Sequence, residues 1–250
     1  HEYSVYRSGV GMLPEKSLLL IVANTGRLNA ISIFKWVPGS FRAPGDKGWV
    51  DGKFDDMQDV QSIPANQAQN LDLYHVGPDL YLAVANSRED GSYRTPVIIY
   101  KWTRDTIQCS SADKMCFRPQ VSLPAVGARS VTAFSLPGPG GLPRYFLGVA
   151  NHLEGERTTE ISAHYVVDTY IYEIDYESRT FSFLQALQSY GASKITVFER
   201  CENMICESFL AISNQRDTCG PYSDTTKSQI FKWTSISETN CAQVTNGKFH

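Results

Sequence analysis

Residues 18–24 read LLLIVAN, and a closely similar phrase occurs three more times along the chain. The other copies are LYLAVAN, ending at Asn86, YFLGVAN, ending at Asn151, and FLAISN, ending at Asn214. Successive closing asparagines are 62, 65 and 63 residues apart. A fixed period of this length indicates a repeat architecture, in which each repeat is one supersecondary unit. Four such units account for the 250 residues.

A second phrase follows each asparagine after a polar gap, and it reads ISIFKW, VIIYKW, TYIYEI and SQIFKW in the four repeats. Runs of β-branched and aromatic residues with period-two alternation predict β-strands. A looser third phrase leads into a fourth, which has apolar residues three apart, such as Leu71 and Tyr74 or Val131 and Phe134. Each repeat therefore predicts four short strands, the content of one propeller blade.

The two ends of the chain indicate how such a ring would close. The fourth repeat stops at Phe249 and His250, where its fourth strand should begin, whereas Tyr3 and Tyr6 supply the spaced apolar pair at the N-terminus. We therefore predict an all-β fold, a four-bladed β-propeller of four repeats of about 62 residues forming a single domain over residues 1–250. The N-terminal strand is expected to complete the last blade and so close the ring.

Charge and hydropathy exclude two classes of partner. The net charge is −3 and no basic run interrupts the chain, which argues against nucleic acid. The longest apolar run, residues 18–23, is far shorter than the roughly 20 residues that cross a bilayer, so we do not expect a membrane-embedded protein.

The six cysteines favour an oxidising compartment, because their number is even and they lack the partners of a zinc site. Two pairs lie close in sequence, Cys109 with Cys116 and Cys201 with Cys206, and Cys219 with Cys241 follows by elimination alone. The chain opens at His1 without a methionine or an apolar leader, as a secreted protein does after signal cleavage, although an arbitrary boundary would look the same. We predict a secreted, extracellular protein.

The order of these phrases resembles a known repeat. An Ala-Asn strand, an Ile-Phe/Tyr-Lys-Trp strand, and then Gln with Gly-Ala and the spaced apolar pair are similar to the epitempin-associated repeat, also called the EAR or EPTP repeat. Its family includes the leucine-rich glioma-inactivated proteins. The resemblance covers essentially the whole chain, but familiar members carry seven shorter repeats attached to other domains. It implies a β-propeller and an extracellular binding role, commonly toward receptor ectodomains.

No catalytic motif stands out in the sequence. The five histidines are scattered without metal-binding spacing, and no nucleophile elbow or phosphate-binding glycine loop is present. The loops after the asparagines differ in length, and an asymmetric face suits one particular partner surface. We predict a non-enzymatic recognition protein that binds an extracellular protein ectodomain. A lectin for glycans, acidic ones included, is the alternative, and an enzyme with catalytic groups assembled from distant blades is a second alternative.

Each loop after a closing asparagine carries at least one arginine. Guanidinium groups gathered on one face would suit carboxylate or sulfate, as on an acidic glycan or an acidic protein patch. The alternative is local pairing with nearby acids such as Glu89 and Asp90. Trp49, in a long Gly/Pro-rich loop, is predicted to be an exposed binding anchor. The arginines are Arg27, Arg88, Arg157 and Arg216.

The recurring asparagines are candidate ligands of an ion. We place the Ala-Asn strands innermost, so four amides would surround the axis and a calcium ion could lie there. The alternative is that each asparagine hydrogen-bonds the adjoining turn. An acidic cluster over residues 51–59 is a second candidate for calcium, or simply a solvated edge, and no cofactor is required. The asparagines are Asn24, Asn86, Asn151 and Asn214.

Overall fold

The computed structural model describes most of the chain. The described residues are 3–7, 18–24, 30–37, 40–41, 49–50, 53–54, 61–109, 114–138, 141–154, 165–203, 205–215, 226–235 and 247–250. Within them the secondary structure is all β, as the repeated phrases predict. In the same residues, no helix has the length and apolar character required to cross a lipid bilayer.

Four antiparallel sheets follow one another along the chain. The first sheet contains β1 (Tyr3–Arg7), β2 (Leu18–Asn24) and β3 (Ala30–Val37), and both β6 (Lys53–Phe54) and β7 (Gln61–Pro64) pair with β3. A separate two-stranded ribbon is formed by β4 (Ser40–Phe41) and β5 (Trp49–Val50). The second sheet contains β8 (Ala68–Val76), β9 (Asp79–Asn86), β10 (Val97–Arg104) and β11 (Met115–Leu123).

The third and fourth sheets repeat the four-strand order of the second. The third contains β12 (Ala128–Pro137), β13 (Pro143–Asn151), β14 (Thr169–Ile174) and β15 (Phe181–Leu187). The fourth contains β16 (Ala192–Glu202), β17 (Ile205–Asn214), β18 (Gln229–Ser235) and β19 (Gly247–Phe249). Each Ala-Asn phrase is the second strand of its sheet, and each second phrase is the third strand.

The Ala-Asn strands are apolar throughout because both of their faces are covered. In β9, Leu82 and Val84 pack in a cluster with Ile33 of the first sheet. The alternate residues Tyr81 and Ala83 pack toward the third sheet. A third cluster joins the third and fourth sheets in the same way. The core of this protein is therefore a series of layers between successive sheets.

Side chains also bridge the first strands of neighbouring sheets. Asp72 of β8 accepts a hydrogen bond from the Ala133 amide of β12, at 2.6 Å. The Thr132 hydroxyl of β12 donates to the Ile195 carbonyl of β16, at 3.1 Å. Contacts along the chain run from β1 to β8, from β8 to β12 and from β12 to β16. The first strands of the second, third and fourth sheets are thus close to one another, and the Ala-Asn strands β2, β9 and β13 each also contact the first strand of the following sheet. The innermost placement of the Ala-Asn strands stays a prediction.

The predicted role of the N-terminal strand is wrong. Strand β1 pairs with β2, with Tyr3 opposite Val22, and the last sheet already has four strands of its own. The reason is local, because the fourth phrase of each repeat forms a hairpin with the next Ala-Asn strand. In the second sheet only Gly77 and Pro78 separate β8 from β9, and Gly77 has a φ of +59°. A hairpin with so short a turn forms many contacts between its strands, while the entropy cost of closing its loop is small.

Two predicted disulfides are present. Cys109–Cys116 closes the loop between β10 and β11, and both residues are buried. Cys201–Cys206 links opposing residues of the β16–β17 hairpin and is exposed. Cys219 and Cys241 lie outside the described residues, so their pairing stays a prediction.

Candidate functional site

Three of the closing asparagines, Asn86, Asn151 and Asn214, act as backbone clamps. Each side-chain oxygen accepts a backbone N–H from the loop before the first strand of its sheet, and each side-chain nitrogen donates to a carbonyl just before the third strand. For Asn151 the partners are Val126, at 2.9 Å, and Asp168, at 2.8 Å. Asn86 bonds in the same way to Asn66 and Pro96, and Asn214 bonds to Tyr190 and Lys227. These hydrogen bonds are those of the alternative given for the asparagines, in which each side chain bonds to the adjoining turn.

The predicted axial ion is not tested by these bonds, because a carbonyl oxygen has a second lone pair. The side chain of Asn24 lies outside the described residues, as does the acidic cluster over residues 51–59. Among the residues that are described, no group of three or more His, Cys, Asp or Glu side chains is placed to hold a metal ion. Calcium at either place stays a prediction.

A left-handed residue and a bulge recur beside each clamp. Gln67, Gly127 and Gly191 have φ values of +51°, +55° and +56°. The Gly127 carbonyl accepts the amide of His152, the residue that follows Asn151, and the same bond recurs in the second and fourth sheets. Two residues further, the pairing register shifts by one residue in all three sheets. The extra residues are Gln69, Arg129 and Ser193, and a bulge of this kind re-aims its side chain at the sheet end.

A groove of about 220 Å³ lies at this end of the molecule, between the second and third sheets. We call it the junction groove. Most of its side chains are polar, and Leu153 and Gly127 complete its wall. The polar ones belong to Gln67, Gln69, Ser87, Arg88, Tyr93, Arg129 and His152.

Both arginines of the junction groove are held by ring systems. The Arg129 Nη1 lies 3.2 Å from the His152 Nε2. A guanidinium can only donate, so this Nε2 accepts, and the Nδ1 proton is then directed at the Ala192 carbonyl, 3.3 Å away. The guanidinium carbon of Arg88 lies 5.7 Å from the centre of the Tyr93 ring. A cation at this distance from an aromatic face is attracted by the ring quadrupole.

Neither guanidinium is neutralised in the part of the chain that the structure describes. There, no carboxylate lies within 4 Å of Arg88 or Arg129, so the alternative of local pairing with Glu89 or Asp90 is not what the structure has. Arg94 of the same loop behaves differently, because it forms an ion pair with Glu154 of the third sheet. The groove therefore has two positive side chains with donors to spare.

A second depression, of about 400 Å³, adjoins the junction groove. Gln67 and Arg88 line both, while Glu89, Asp90 and Asn66 line only the second. Glu89 and Ser92 exchange backbone hydrogen bonds of 3.0 and 2.8 Å around a two-residue turn. Its central residues, Asp90 and Gly91, have φ values of +47° and +92°, as a type I′ turn requires.

The structure therefore places one of the predicted arginines, Arg88, in a defined site. The other three, Arg27, Arg157 and Arg216, lie outside the described residues, as does the Trp49 side chain. Sequence reasoning missed Arg129 and His152. The signal was present for Arg129, which directly follows the recurring Gly-Ala pair and is matched by Ser193 one repeat later.

A half-buried carboxyl, that of Asp72, lies away from the groove, at the contact between β8 and β12. Burial raises the pKa of Asp72 to about 6, against the hydrogen bonds from the Ala133 and Leu73 amides, which lower it. His75 lies three residues further along β8, toward the end of the strand away from the groove. Burial lowers its pKa below the ordinary value. The contact between the second and third sheets thus contains a carboxyl, that of Asp72, whose pKa is about 6.

Two curated proteins are similar to this chain. The human thrombospondin-type laminin G domain and EAR repeat-containing protein is 29% identical over 173 residues, which are 69% of this chain and 20% of that protein. The mouse protein of the same name is 30% identical over 144 residues, 58% of this chain and 18% of its own length. The predicted resemblance to EAR-repeat proteins is confirmed. The match spans only about a fifth of these EAR-repeat relatives. No family model matches the chain.

Proposed function

We propose that this chain is a secreted, non-enzymatic recognition domain, which binds an extracellular protein through the end of the sheets that carries the junction groove. The observation that carries the proposal is the pair of arginines without carboxylate partners, displayed on backbone that is clamped in the same way in three sheets. The similarity to EAR-repeat proteins and the two disulfides support an extracellular interaction domain. Rigid sheets with variable loops at one end are a common form of binding surface.

The proposal can be tested with two glycan wedges, because single substitutions create glycosylation sequons at the two ends of the second sheet. Asp90→Asn gives Asn-Gly-Ser in the turn beside the groove, where asparagine tolerates a positive φ. Arg104→Asn gives Asn-Asp-Thr at the far end of β10. Both variants would be secreted from eukaryotic cells, and attachment of the glycan would be confirmed by mass.

The two wedge variants and the unmodified domain would be tested against an array of purified extracellular ectodomains. We expect an ectodomain that binds the unmodified domain and the Arg104→Asn variant but not the Asp90→Asn variant, since a bulky glycan blocks the surface next to it. No bound ectodomain would contradict protein recognition. Loss of binding only in the Arg104→Asn variant would contradict the choice of face.

We also propose that the four sheets form a closed four-bladed propeller, with the first sheet packed on the fourth. Support comes from one isoleucine in the third strand of each sheet. Its partner in the neighbouring second strand is the residue three positions before the closing asparagine. Ile33, Ile99 and Ile171 are 0% exposed there, and each packs toward the next sheet, whereas Ile230 of the fourth sheet is 65% exposed. The fourth sheet therefore presents the same apolar face without a following sheet.

The first sheet presents a matching face. Leu20 and Val22 are half-buried, whereas the corresponding residues of the other sheets, such as Leu82 and Val84, are buried against the preceding sheet. Closure would bury both faces in the same kind of packing that joins the first sheet to the second, the second to the third and the third to the fourth. Substituting Ile99→Ala should cost about 2–5 kcal/mol of unfolding free energy, as for any buried isoleucine. A closed ring predicts a similar cost for Ile230→Ala in urea unfolding, and a negligible cost would contradict closure.

A further inference from the structure

We propose that the junction groove binds the anionic group, a sulfate ester or a carboxylate, of an acidic sugar. This goes beyond recognition of a protein, although both proposals rest on the same pair of arginines in the junction groove. Arg88 and Arg129 both line the groove, and no carboxylate of the described residues pairs with either. Guanidinium groups bind carboxylate and sulfate oxygens through parallel N–H donors, and such charge-assisted bonds are the strong ones.

The arginines are positioned before any ligand arrives. Arg129 is the extra residue of a β-bulge, and its side chain is held by the nitrogen of His152. A guanidinium has five N–H donors, so one bond to a histidine leaves several for an anion. Arg88 lies against the Tyr93 ring, which limits its motion without using its donors. Pre-ordered side chains lose little entropy on binding.

The rest of the site suits the hydroxyl groups of a sugar. Ser87 and Gln69 line the groove and are within hydrogen-bond distance of each other, at 3.4 Å between Gln69 Nε2 and Ser87 Oγ. In the adjoining depression, the Glu89 and Asp90 carboxylates can accept from hydroxyls but repel an anion. The negative group is therefore directed to the Arg129 side, and the neutral part of the sugar to the depression. Both spaces together are of the size of small-ligand sites, roughly 300–1,000 Å³.

The experiment is isothermal titration of the intact, disulfide-bonded domain with three probes. These are a heparin-derived sulfated tetrasaccharide, sialyllactose, which carries a carboxylate, and neutral lactose. The substitutions are taken from the protein itself. Arg129→Ser introduces the residue that Ser193 provides at the same bulge of the fourth sheet, and Arg88→Leu introduces the counterpart Leu153 of the third sheet. The backbone therefore already accepts both, and thermal melting would confirm folding.

We expect an acidic probe to bind and lactose not to bind, and the acidic probe that binds identifies sulfate or carboxylate as the group recognised. Each substitution should weaken binding about tenfold or more, as expected for loss of a charge-assisted hydrogen bond. The affinity of the Arg129→Lys variant should lie between those of the unmodified domain and the Arg129→Ser variant, because lysine retains the charge but not the bidentate geometry. The matched control is Arg200→Ser, which removes one positive charge from an exposed pair with Glu202 at the far hairpin of the fourth sheet.

Three results would overturn the proposal. They are no binding of either acidic probe, unchanged affinity in the Arg129→Ser and Arg88→Leu variants, or an equal loss in the Arg200→Ser variant, which would indicate only net charge. None of these depends on whether an ectodomain binds the domain. A negative titration together with an ectodomain blocked by the Asp90→Asn glycan would leave protein recognition standing and remove the acidic sugar alone.

Discussion

The junction between the second and third sheets and the junction between the third and fourth have the same backbone but different surfaces. In both, an asparagine clamp, a left-handed residue and a bulge occur at the same positions. The residue after the asparagine differs, since it is Ser87 in one and His152 in the other. The His152 ring packs on Tyr165, at 5.5 Å between ring centres, and extends to the Ala192 carbonyl.

The backbone scaffold and the groove are therefore separable features of this protein. A small serine leaves the first junction open as a groove, whereas an imidazole occupies the equivalent place in the second. The bulge residue changes in parallel, from Arg129 facing the first junction to Ser193 facing the second. The repeated hydrogen bonds fix the backbone, and two or three side chains then decide whether a junction can bind. Three sets of substitutions test this contrast between the two junctions.

The largest effect is expected from removing a clamp. Asn151 is 0% exposed, so Asn151→Ala would leave the Val126 amide and the Asp168 carbonyl without their partner. We expect a loss of about 2–4 kcal/mol in unfolding free energy, because each buried unsatisfied group costs about 1–3 kcal/mol. The measurement is urea unfolding.

The control for the clamp is Asn214→Ala in the fourth sheet, where the same two backbone bonds are made by a more exposed side chain. Water can replace a lost partner there, so we expect about 1 kcal/mol or less. If Asn151→Ala were as mild as Asn214→Ala, the clamps would not be what fixes the backbone of the junctions.

The second prediction concerns the contacts between first strands, where the two junctions use different chemistry. Asp72 bridges the first junction with a carboxylate, and Thr132 bridges the second with a hydroxyl. The folded pKa of Asp72, about 6, is above the ordinary 3.8, so the folded state binds its proton more tightly. Its contribution to stability is therefore complete below about pH 4 and is lost as the pH rises through about 6.

Asp72→Asn should flatten this dependence, since an amide oxygen still accepts the Ala133 N–H but does not titrate. We expect the stability of the unmodified protein, relative to Asp72→Asn, to fall by at most about 3 kcal/mol between pH 4 and pH 7. Chemical unfolding across this pH range measures it. Identical pH profiles of the two proteins would show that Asp72 is not the group responsible, and Thr132→Val should leave the profile unchanged.

The smallest effect on stability is expected from exchanging the residues that open and fill the junctions. Ser87→His should close the junction groove as His152 fills the next junction, and it should change the unfolding free energy by less than about 1 kcal/mol at a half-exposed site. Binding of the acidic probe should nevertheless fall about tenfold or more if the groove is the site. Unchanged binding would indicate that the anion lies elsewhere on this face.

Much of the architecture was accessible from the repeats. The four Ala-Asn phrases predicted strands that end at an asparagine, and the second phrases predicted further strands, as β9 and β10 illustrate. Errors arose where one repeat passes into the next. A linear repeat has no marked beginning, so the fourth phrase was assigned to the sheet before it, although it pairs with the strand after it. Hydrogen-bond pairing, which periodicity does not encode, decides that boundary.

The site was accessible only in part, for a similar reason. Arg88 was found because it follows an asparagine, but Arg129 and His152 meet it from the third sheet, 41 and 64 residues further along the chain. The strand content, the repeat period and the two short disulfide loops could be predicted from the sequence, because each depends on neighbours along the chain. Which sheets adjoin, which arginines share a groove and which carboxyl is withdrawn from water could not, because these depend on packing between residues that are distant in sequence.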